Sequence, residues 1–225
     1  RDNRVINQFS CRTKPALGAY LGEDGVLYMN DRKGTTAILP MDQIRIPGIH
    51  NVENYLAAIS AVWGEVSREK IISVAKTFPG VEHRIEFVRE LDGVKWYNDS
   101  IASSPTRTIA GLNSFHQKII LIAGGYDKKI PFEPLAPKII EKVKALILMG
   151  VTAPKIEAAV RACADFDEQA LPIYHVSNMQ QAVEKAREIA GEGDIVSLSP
   201  ACASFDLYPD FEARGRHFKE LVNKL

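Results

Sequence analysis

Asp194-Ile195-Val196-Ser197-Leu198-Ser199-Pro200-Ala201-Cys202-Ala203-Ser204-Phe205-Asp206 is the stretch that decides how this chain is read. Its first five residues form a short apolar run of the kind that makes a buried strand. The segment Tyr208–Asn223 beyond it is amphipathic and predicts a terminal helix. Between the two lie small and hydroxyl-bearing residues, which let backbone amides come close to a ligand. A helix N-terminus at such a place offers unpaired N–H groups and a partial positive charge to an anion. The spacing by itself fits an ordinary strand-to-helix turn equally well.

Working outward, the same alternation of strand and helix extends back to Val81. Strands are predicted at Ile85–Leu91, Val94–Tyr97, Lys118–Ala123, Ala145–Met149, Ile173–His175 and Ile195–Leu198. Helices are predicted at Pro105–Ser114, Pro134–Lys142, Ala153–Ala164, Met179–Ala190 and Tyr208–Asn223. Short apolar strands alternating with helices imply an α/β, Rossmann-like, mostly parallel sheet covered on both faces. The first two strands, joined by Asp92-Gly93, form a hairpin. The texture before Pro79-Gly80 is different. Three β-like runs, Leu17–Leu21, Val26–Met29 and Thr35–Leu39, are separated by turn-rich segments. Two helices follow, His50–Trp63 and, capped by Ser67, Arg68–Phe78. Pro79-Gly80 stops the second helix, so a domain boundary is expected there, giving domains 1–80 and 81–225.

Composition removes several classes of function. The 28 Lys and Arg balance the 28 Asp and Glu, which argues against nucleic acid or an anionic membrane as the main partner. No apolar run approaches the roughly 20 residues that span a bilayer. The charged start Arg1-Asp2-Asn3-Arg4 leads into no long apolar segment, so no signal peptide is read. Cys11, Cys163 and Cys202 are far apart and unpaired by spacing. They point to no disulfide framework or zinc site and fit a reducing cytoplasm.

In open α/β sheets ligands bind beyond the carboxyl ends of the strands. Three unusual segments fall there: Asn98-Asp99-Ser100-Ile101-Ala102-Ser103-Ser104-Pro105, Gly124-Gly125-Tyr126-Asp127-Lys128-Lys129, and Ser199–Ser204. Together they would present hydroxyls, amides, one carboxylate and ammonium groups to a common edge, which suits an anionic substrate such as a dicarboxylic amino acid, a phosphate or a nucleotide. Each has a plainer alternative. Asp99 fits a helix cap, Gly124-Gly125 a tight turn, and Lys128-Lys129 a solvated pair. His83-Arg84 fits a linker's charges, and His50-Asn51 with Asn54 helix capping and surface polarity.

Gly48-Ile49-His50-Asn51-Val52-Glu53-Asn54-Tyr55-Leu56-Ala57-Ala58 resembles the Gly-x-His-Asn-x-x-Asn-x-x-Ala-Ala segment of the Mur ligase central domain. Phe78-Pro79-Gly80-Val81-Glu82-His83-Arg84 is similar to that family's Pro-His-Arg junction. The three strand-end motifs resemble those of its C-terminal domain in order and spacing. The string Ser199–Ser204, with Phe211-Glu212-x-Arg214-Gly215 after it, points to the member that adds D-glutamate.

The resemblance implies an ATP-dependent ligase that joins D-glutamate to UDP-N-acetylmuramoyl-L-alanine through an acyl phosphate. It implies ATP and Mg2+ as cofactors, a cytoplasmic monomer, and a chain made of the end of a central ATPase domain plus a C-terminal amino-acid-binding domain. Asn51 and Asn54 would lie near the adenine, and Arg84 and Asp99 near the ribose and phosphates. Ser103, Lys128, Ser204 and Phe211 would hold D-glutamate, Phe211 through its backbone.

There are departures from the family pattern. Ile101 stands where the family commonly has Lys, with Arg107 and Lys129 as substitute cations, and Asp127 replaces a glycine before Lys128. No Gly-x-x-x-x-Gly-Lys-[Ser/Thr] phosphate loop occurs in the 225 residues. Lys33-Gly34-Thr35-Thr36 has the wrong order and sits between β runs. The phosphate loop, the Mg2+ ligands and the domain for the uridine nucleotide are therefore expected upstream, and the chain alone is expected to fold but not to catalyse.

Other readings are a Rossmann oxidoreductase, disfavoured by the missing Gly-x-Gly-x-x-Gly, and a non-catalytic binding module of the same fold. A folylpolyglutamate synthase-like ligase is a third, and the Ser199–Ser204 string argues against it.

Overall fold

The computed structural model describes residues 6–46 and 48–225. The charged start Arg1–Arg4 lies outside the described residues. The chain divides into two compact units, Arg1–Gly80 and Val81–Leu225.

The first unit carries a four-stranded sheet of β1 (Gln8–Ser10), β2 (Gly18–Leu21), β3 (Val26–Asp31) and β4 (Gly34–Pro40), in that spatial order. β1 pairs parallel with β2, and the other pairs are antiparallel. β1 is not visible in the sequence because Gln8-Phe9-Ser10 is short and mostly exposed, with no alternation to mark it. Helices α1 (Ile49–Val62) and α2 (Arg68–Thr77) follow. Val52, Leu56 and Ile59 of α1 and Ile71 and Ala75 of α2 pack with Leu27, Met29, Ile38 and Leu39 into one core. The Ser67 hydroxyl accepts the Lys70 N–H, the expected N-cap.

The second unit is a six-stranded sheet. Its strands are β5 (Glu86–Leu91), β6 (Val94–Asn98), β7 (Ile119–Ala123), β8 (Val143–Leu148), β9 (Ile173–His175) and β10 (Ile195–Leu198), in the order β5-β6-β10-β7-β8-β9. Only β5 with β6 is antiparallel. That hairpin turns through Asp92 and Gly93, both at positive φ, as a two-residue primed turn requires. Helices α3 (Pro105–Leu112), α4 (Ala136–Lys142), α5 (Ala153–Arg161), α6 (Met179–Ile189) and α7 (Phe211–Lys224) connect and cover the strands. All five residues of β7 are buried, as both faces of a parallel sheet demand. Leu121, Leu146 and Leu148 face one core, while Ile120, Ile122 and Ile147 face the other.

The return of β10 to the middle of the sheet is what positions the site. It inserts between β6 and β7, so the carboxyl ends of those three strands are neighbours. The terminal helix starts three residues later than the sequence predicts. Pro209 precedes Asp210, whose side chain accepts the Ala213 N–H and fixes the first turn at Phe211. No helix among the described residues is long and apolar enough to cross a membrane.

Residues 81–225 have their own two-faced core around β7 and β10 and should fold alone. Expressed by themselves, they should unfold in one cooperative step reported by the fluorescence of the fully buried Trp96, with a stability of about 5–15 kcal/mol. A broad, non-cooperative loss of Trp96 signal would contradict this.

Candidate functional site

The three strand-end segments are knitted together by backbone hydrogen bonds. The Asp99 N–H donates to Leu198 O (2.8 Å), the Ser199 N–H to Ile122 O (3.1 Å), and the Gly124 N–H to Pro200 O (2.8 Å). The Tyr126 N–H donates to Ala203 O at 2.9 Å. Gly124 is required for this approach. Its φ is +108°, and a Cβ there would lie 2.0 Å from Met149 O, a contact no side chain could make.

Asp99 does not cap α3. It is 4 % exposed, and its carboxylate accepts the Ile85 N–H (3.2 Å) and the Ser199 hydroxyl (2.8 Å). Ser199 Oγ also lies 3.1 Å from Thr108 Oγ1. Burial pushes the Asp99 carboxyl up from its ordinary 3.8 to about 7, against the opposing pull of those hydrogen bonds and of the Arg84 and Arg107 charges.

Asn98 is fully buried. Its Nδ2 donates to Glu86 Oε2 (3.0 Å) and to His83 Nδ1 (2.9 Å), and its Oδ1 accepts the Ser100 N–H. His83 lies against α7 at Gly215, where a Cβ would come 2.2 Å from the His83 ring nitrogen. Among the described residues, one group brings three metal-type ligands together: Glu82, His83 and Glu86. The Lys219 ammonium already bonds both of its carboxylates.

Arg214 is the residue that sequence reasoning passed over. It is 2 % exposed, and all five of its N–H donors are engaged. Nε donates to Ser100 Oγ (3.0 Å), Nη1 to the carbonyls of Cys202 and Ala203 (3.1 Å each), and Nη2 to those of Ser100 (2.9 Å) and Cys202 (3.1 Å). The Ser100 hydroxyl in turn donates a hydrogen bond to Phe211 O at 2.8 Å. One guanidinium thus ties α7 to the loops after β6 and β10. Among the described residues no carboxylate lies within ion-pair distance of it, and burial lowers its pKa to about 10. A signal was present in the sequence. Arg214 shares the buried stripe of α7 with Phe218 and Val222, four and eight residues on, where a charged residue is out of place.

Of the expected D-glutamate residues, Ser103, Lys128, Ser204 and Phe211 all belong to the loops and helix start at this edge. Lys128 is exposed, and its ammonium has no partner among the described residues, because Asp127 pairs with Lys155 instead. Ser204 is 2 % exposed. Phe211 opens α7 with its carbonyl taken by Ser100, and its N–H is one of the first-turn donors that a helix leaves without an intrahelical partner. Arg84 is exposed beside the Asp99-bound N–H of Ile85. Arg107 Nη1 donates to Ile101 O at 3.3 Å, which brings a cation to the loop where Ile101 supplies none. In the first unit, Asn54 Nδ2 donates to Asn51 Oδ1 at 3.4 Å, with Asn51 buried and Asn54 exposed on α1. Burial holds the Cys202 thiol up at about 11, so it stays protonated beside Thr152.

The family model described as Mur ligase, glutamate ligase domain, matches residues 83–202. The chain belongs to the Mur ligase family. It is 52 % identical over 237 residues to the UDP-N-acetylmuramoylalanine--D-glutamate ligase of Clostridium acetobutylicum, a match covering 100 % of this chain and 50 % of that protein. The chain therefore spans about half the length of the curated relatives it matches. Its fold is similar to the UDP-N-acetylmuramate-alanine ligase of Thermotoga maritima (TM-score 0.64, 14 % identity, 96 % of this chain and 47 % of that one). It is also similar to the folylpolyglutamate synthase of Mycobacterium tuberculosis, solved with ADP and AMPPCP (TM-score 0.59, 14 % identity, 90 % and 47 %). At this identity the structural likeness establishes the α/β fold shared with Mur ligases, and the expected fold class stands.

The buried Asp99 makes stability depend on pH. Its carboxyl binds a proton more tightly in the folded state (about 7) than at its ordinary value of 3.8. Its contribution is therefore complete below about pH 4 and is lost as pH rises through 7. Asp99→Asn should flatten that part of the stability profile, by up to about 4 kcal/mol between pH 4 and 8. Parallel profiles for the two proteins in urea titrations would contradict the assignment.

Proposed function

We propose that this chain carries the amino-acid-accepting half of an ATP-dependent ligase that adds D-glutamate to UDP-N-acetylmuramoyl-L-alanine in the assembly of peptidoglycan precursors. The observation that supports this most is the edge formed by β6, β10 and β7. There Lys128 offers an unpaired ammonium, Ser103 and Ser204 offer hydroxyls, and Phe211 an N–H; Arg214 ties α7 to the loops of Ser103 and Ser204, and the Lys128 loop is tied to the Ser204 loop through the Tyr126 N–H and Ala203 O. A dianionic amino acid suits those groups: a point charge takes one carboxylate, while hydroxyls and amides orient it.

In this reading the carboxylate of the uridine nucleotide substrate is phosphorylated by ATP. The amine of D-glutamate attacks the resulting acyl phosphate, forming the amide bond, and phosphate leaves. The residues of this chain bind and orient the amine donor so that its nitrogen meets the acyl carbon, which converts a bimolecular encounter into a positioned one. Arg84 meets the nucleotide, and Asp99 holds the Arg84–Ile85 turn through the Ile85 N–H. Asn51 and Asn54 meet the adenine from the unit before Gly80, the remainder of the ATP-binding domain, and residues 81–225 form the amino-acid domain. Mg2+, when bound, offsets the charge of the phosphates, and none of the residues assigned here is its ligand. Three free cysteines agree with an enzyme of the reducing cytoplasm.

The test is Lys128→Ala in the longer protein that carries this chain. The Michaelis constant for D-glutamate should rise by about 10- to 150-fold, the equivalent of a lost charged hydrogen bond of about 1.5–3 kcal/mol, while that for ATP stays within about twofold. Equal effects on both constants would place Lys128 outside the amino-acid site.

A further inference from the structure

The loop after β7 is fixed residue by residue, and much of the fixing comes from the start of α5. Gly125 donates its N–H to Thr152 Oγ1 (3.0 Å), while Gly125 O accepts the Thr152 hydroxyl (2.9 Å) and the Thr152 N–H (3.2 Å). Thr152 is fully buried. The Tyr126 N–H is taken by Ala203 O. Within the first turn of α5, Lys155 donates to Asp127 Oδ2, and Asp127 Oδ1 accepts the Lys129 N–H at 2.7 Å. The Asp127 side chain thus closes a turn over Lys128, the residue between. It also holds Lys129 at a φ of +58°, a left-handed conformation that a lysine does not favour.

Asp127 is electrostatically out of place beside a lysine that is to meet an anion. A carboxylate one residue from Lys128 would pair with its ammonium or repel an arriving carboxylate. The structure turns it aside. Oδ2 goes to Lys155 and Oδ1 to the Lys129 N–H, and these two bonds, Lys155 first, hold the Asp127 carboxyl below the ordinary carboxylate range. The Lys128 ammonium keeps no partner among the described residues.

We propose that Asp127 and Lys155 are positioning residues for Lys128. Asp127 sets the backbone from which the Lys128 side chain leaves. Lys155 draws the Asp127 charge away, so the Lys128 ammonium stays free for an anionic substrate. Both act through Lys128 rather than on the substrate itself. That this substrate is D-glutamate rests on the reading above, whereas the turn and the ion pair rest on their own contacts.

The test is steady-state kinetics in the longer protein that carries this chain, with Lys128→Ala as the reference. Lys155→Met leaves Asp127 charged and uncompensated, and should raise the Michaelis constant for D-glutamate about fivefold, the upper range for an exposed ion pair. Asp127→Ala loses the turn and should raise it about three- to tenfold. Asp127→Asn keeps an oxygen that closes the turn and needs no counter-charge. Its constant should stay within about twofold of the wild type, and in its background Lys155→Met should change nothing. The constant for ATP should stay within about twofold throughout. In a Lys128→Ala background the effects of Lys155→Met and Asp127→Ala should shrink to within about twofold, which a merely structural role would not produce. If Asp127→Ala fails to fold, as judged by Trp96 fluorescence, Lys155→Met and Asp127→Asn decide the matter. If Lys128→Ala moves the constant for ATP instead, the D-glutamate reading falls, and the proposal then requires Lys155→Met and Asp127→Ala to move that same constant. The proposal is overturned if Lys128→Ala raises a constant that Lys155→Met and Asp127→Ala leave within about twofold, or if their effects persist undiminished in the Lys128→Ala background.

Discussion

The guanidinium of Arg214 is the constraint on which the carboxyl edge of the sheet depends. It is almost fully removed from water, and it would not stay there unless every donor were matched. The matching oxygens come from Ser100, Cys202 and Ala203, which are brought within one guanidinium's reach only because β10 lies beside β6. The sheet order and the arginine therefore require each other. A misplaced β10 would strand a buried cation at a cost of several kcal/mol, and without the arginine the carbonyls of Ser100 and Cys202 would lose their donors, while that of Ala203 would keep only the Tyr126 N–H. Gly215 extends the same arrangement by letting the next residue on α7 meet the His83 ring without a clash.

Two of the cations at this edge, Lys128 and Arg214, have complementary settings. Lys128 is exposed and unpaired on a loop, with the flexible stem and mobile charge suited to meeting an anion arriving from water. Arg214 is buried on α7 and fixed by the carbonyls of the loops after β6 and β10. The chain as a whole is neutral, so the local field at the edge comes from this placement and from the N–H groups at the start of α7, not from an overall basic character.

Much of this was legible in the sequence. The alternation beyond Val81 gave the parallel sheet, because apolar strands between amphipathic helices have few other ways to bury themselves. The motifs were correctly placed at strand ends, since Gly, Ser and Asn runs cannot lie inside such strands. Other features were not legible. β1 carries no periodic signal, and the start of α7 depends on a cap at Asp210 that competes with the earlier aromatic Tyr208. The state of Asp99 is set by residues distant in sequence, Ser199 and Ile85, and an aspartate next to a helix reads locally as a cap. Arg214 was quoted only as part of a string. Its meaning came from burial, which a charged residue's neighbours reveal only when the helix stripe is followed through Phe218 and Val222.

The most direct measurement is of the Arg214 side chain itself, by 1H–15N spectroscopy of its guanidinium in the folded chain. With all five donors bonded, rotation about the Cζ–Nη bonds should be arrested. The Nε proton and four separate Nη protons should then appear as distinct resonances, protected from exchange with water. A single averaged, rapidly exchanging Nη signal would mean that the guanidinium is loose, and that some other interaction holds α7 to the loops after β6 and β10.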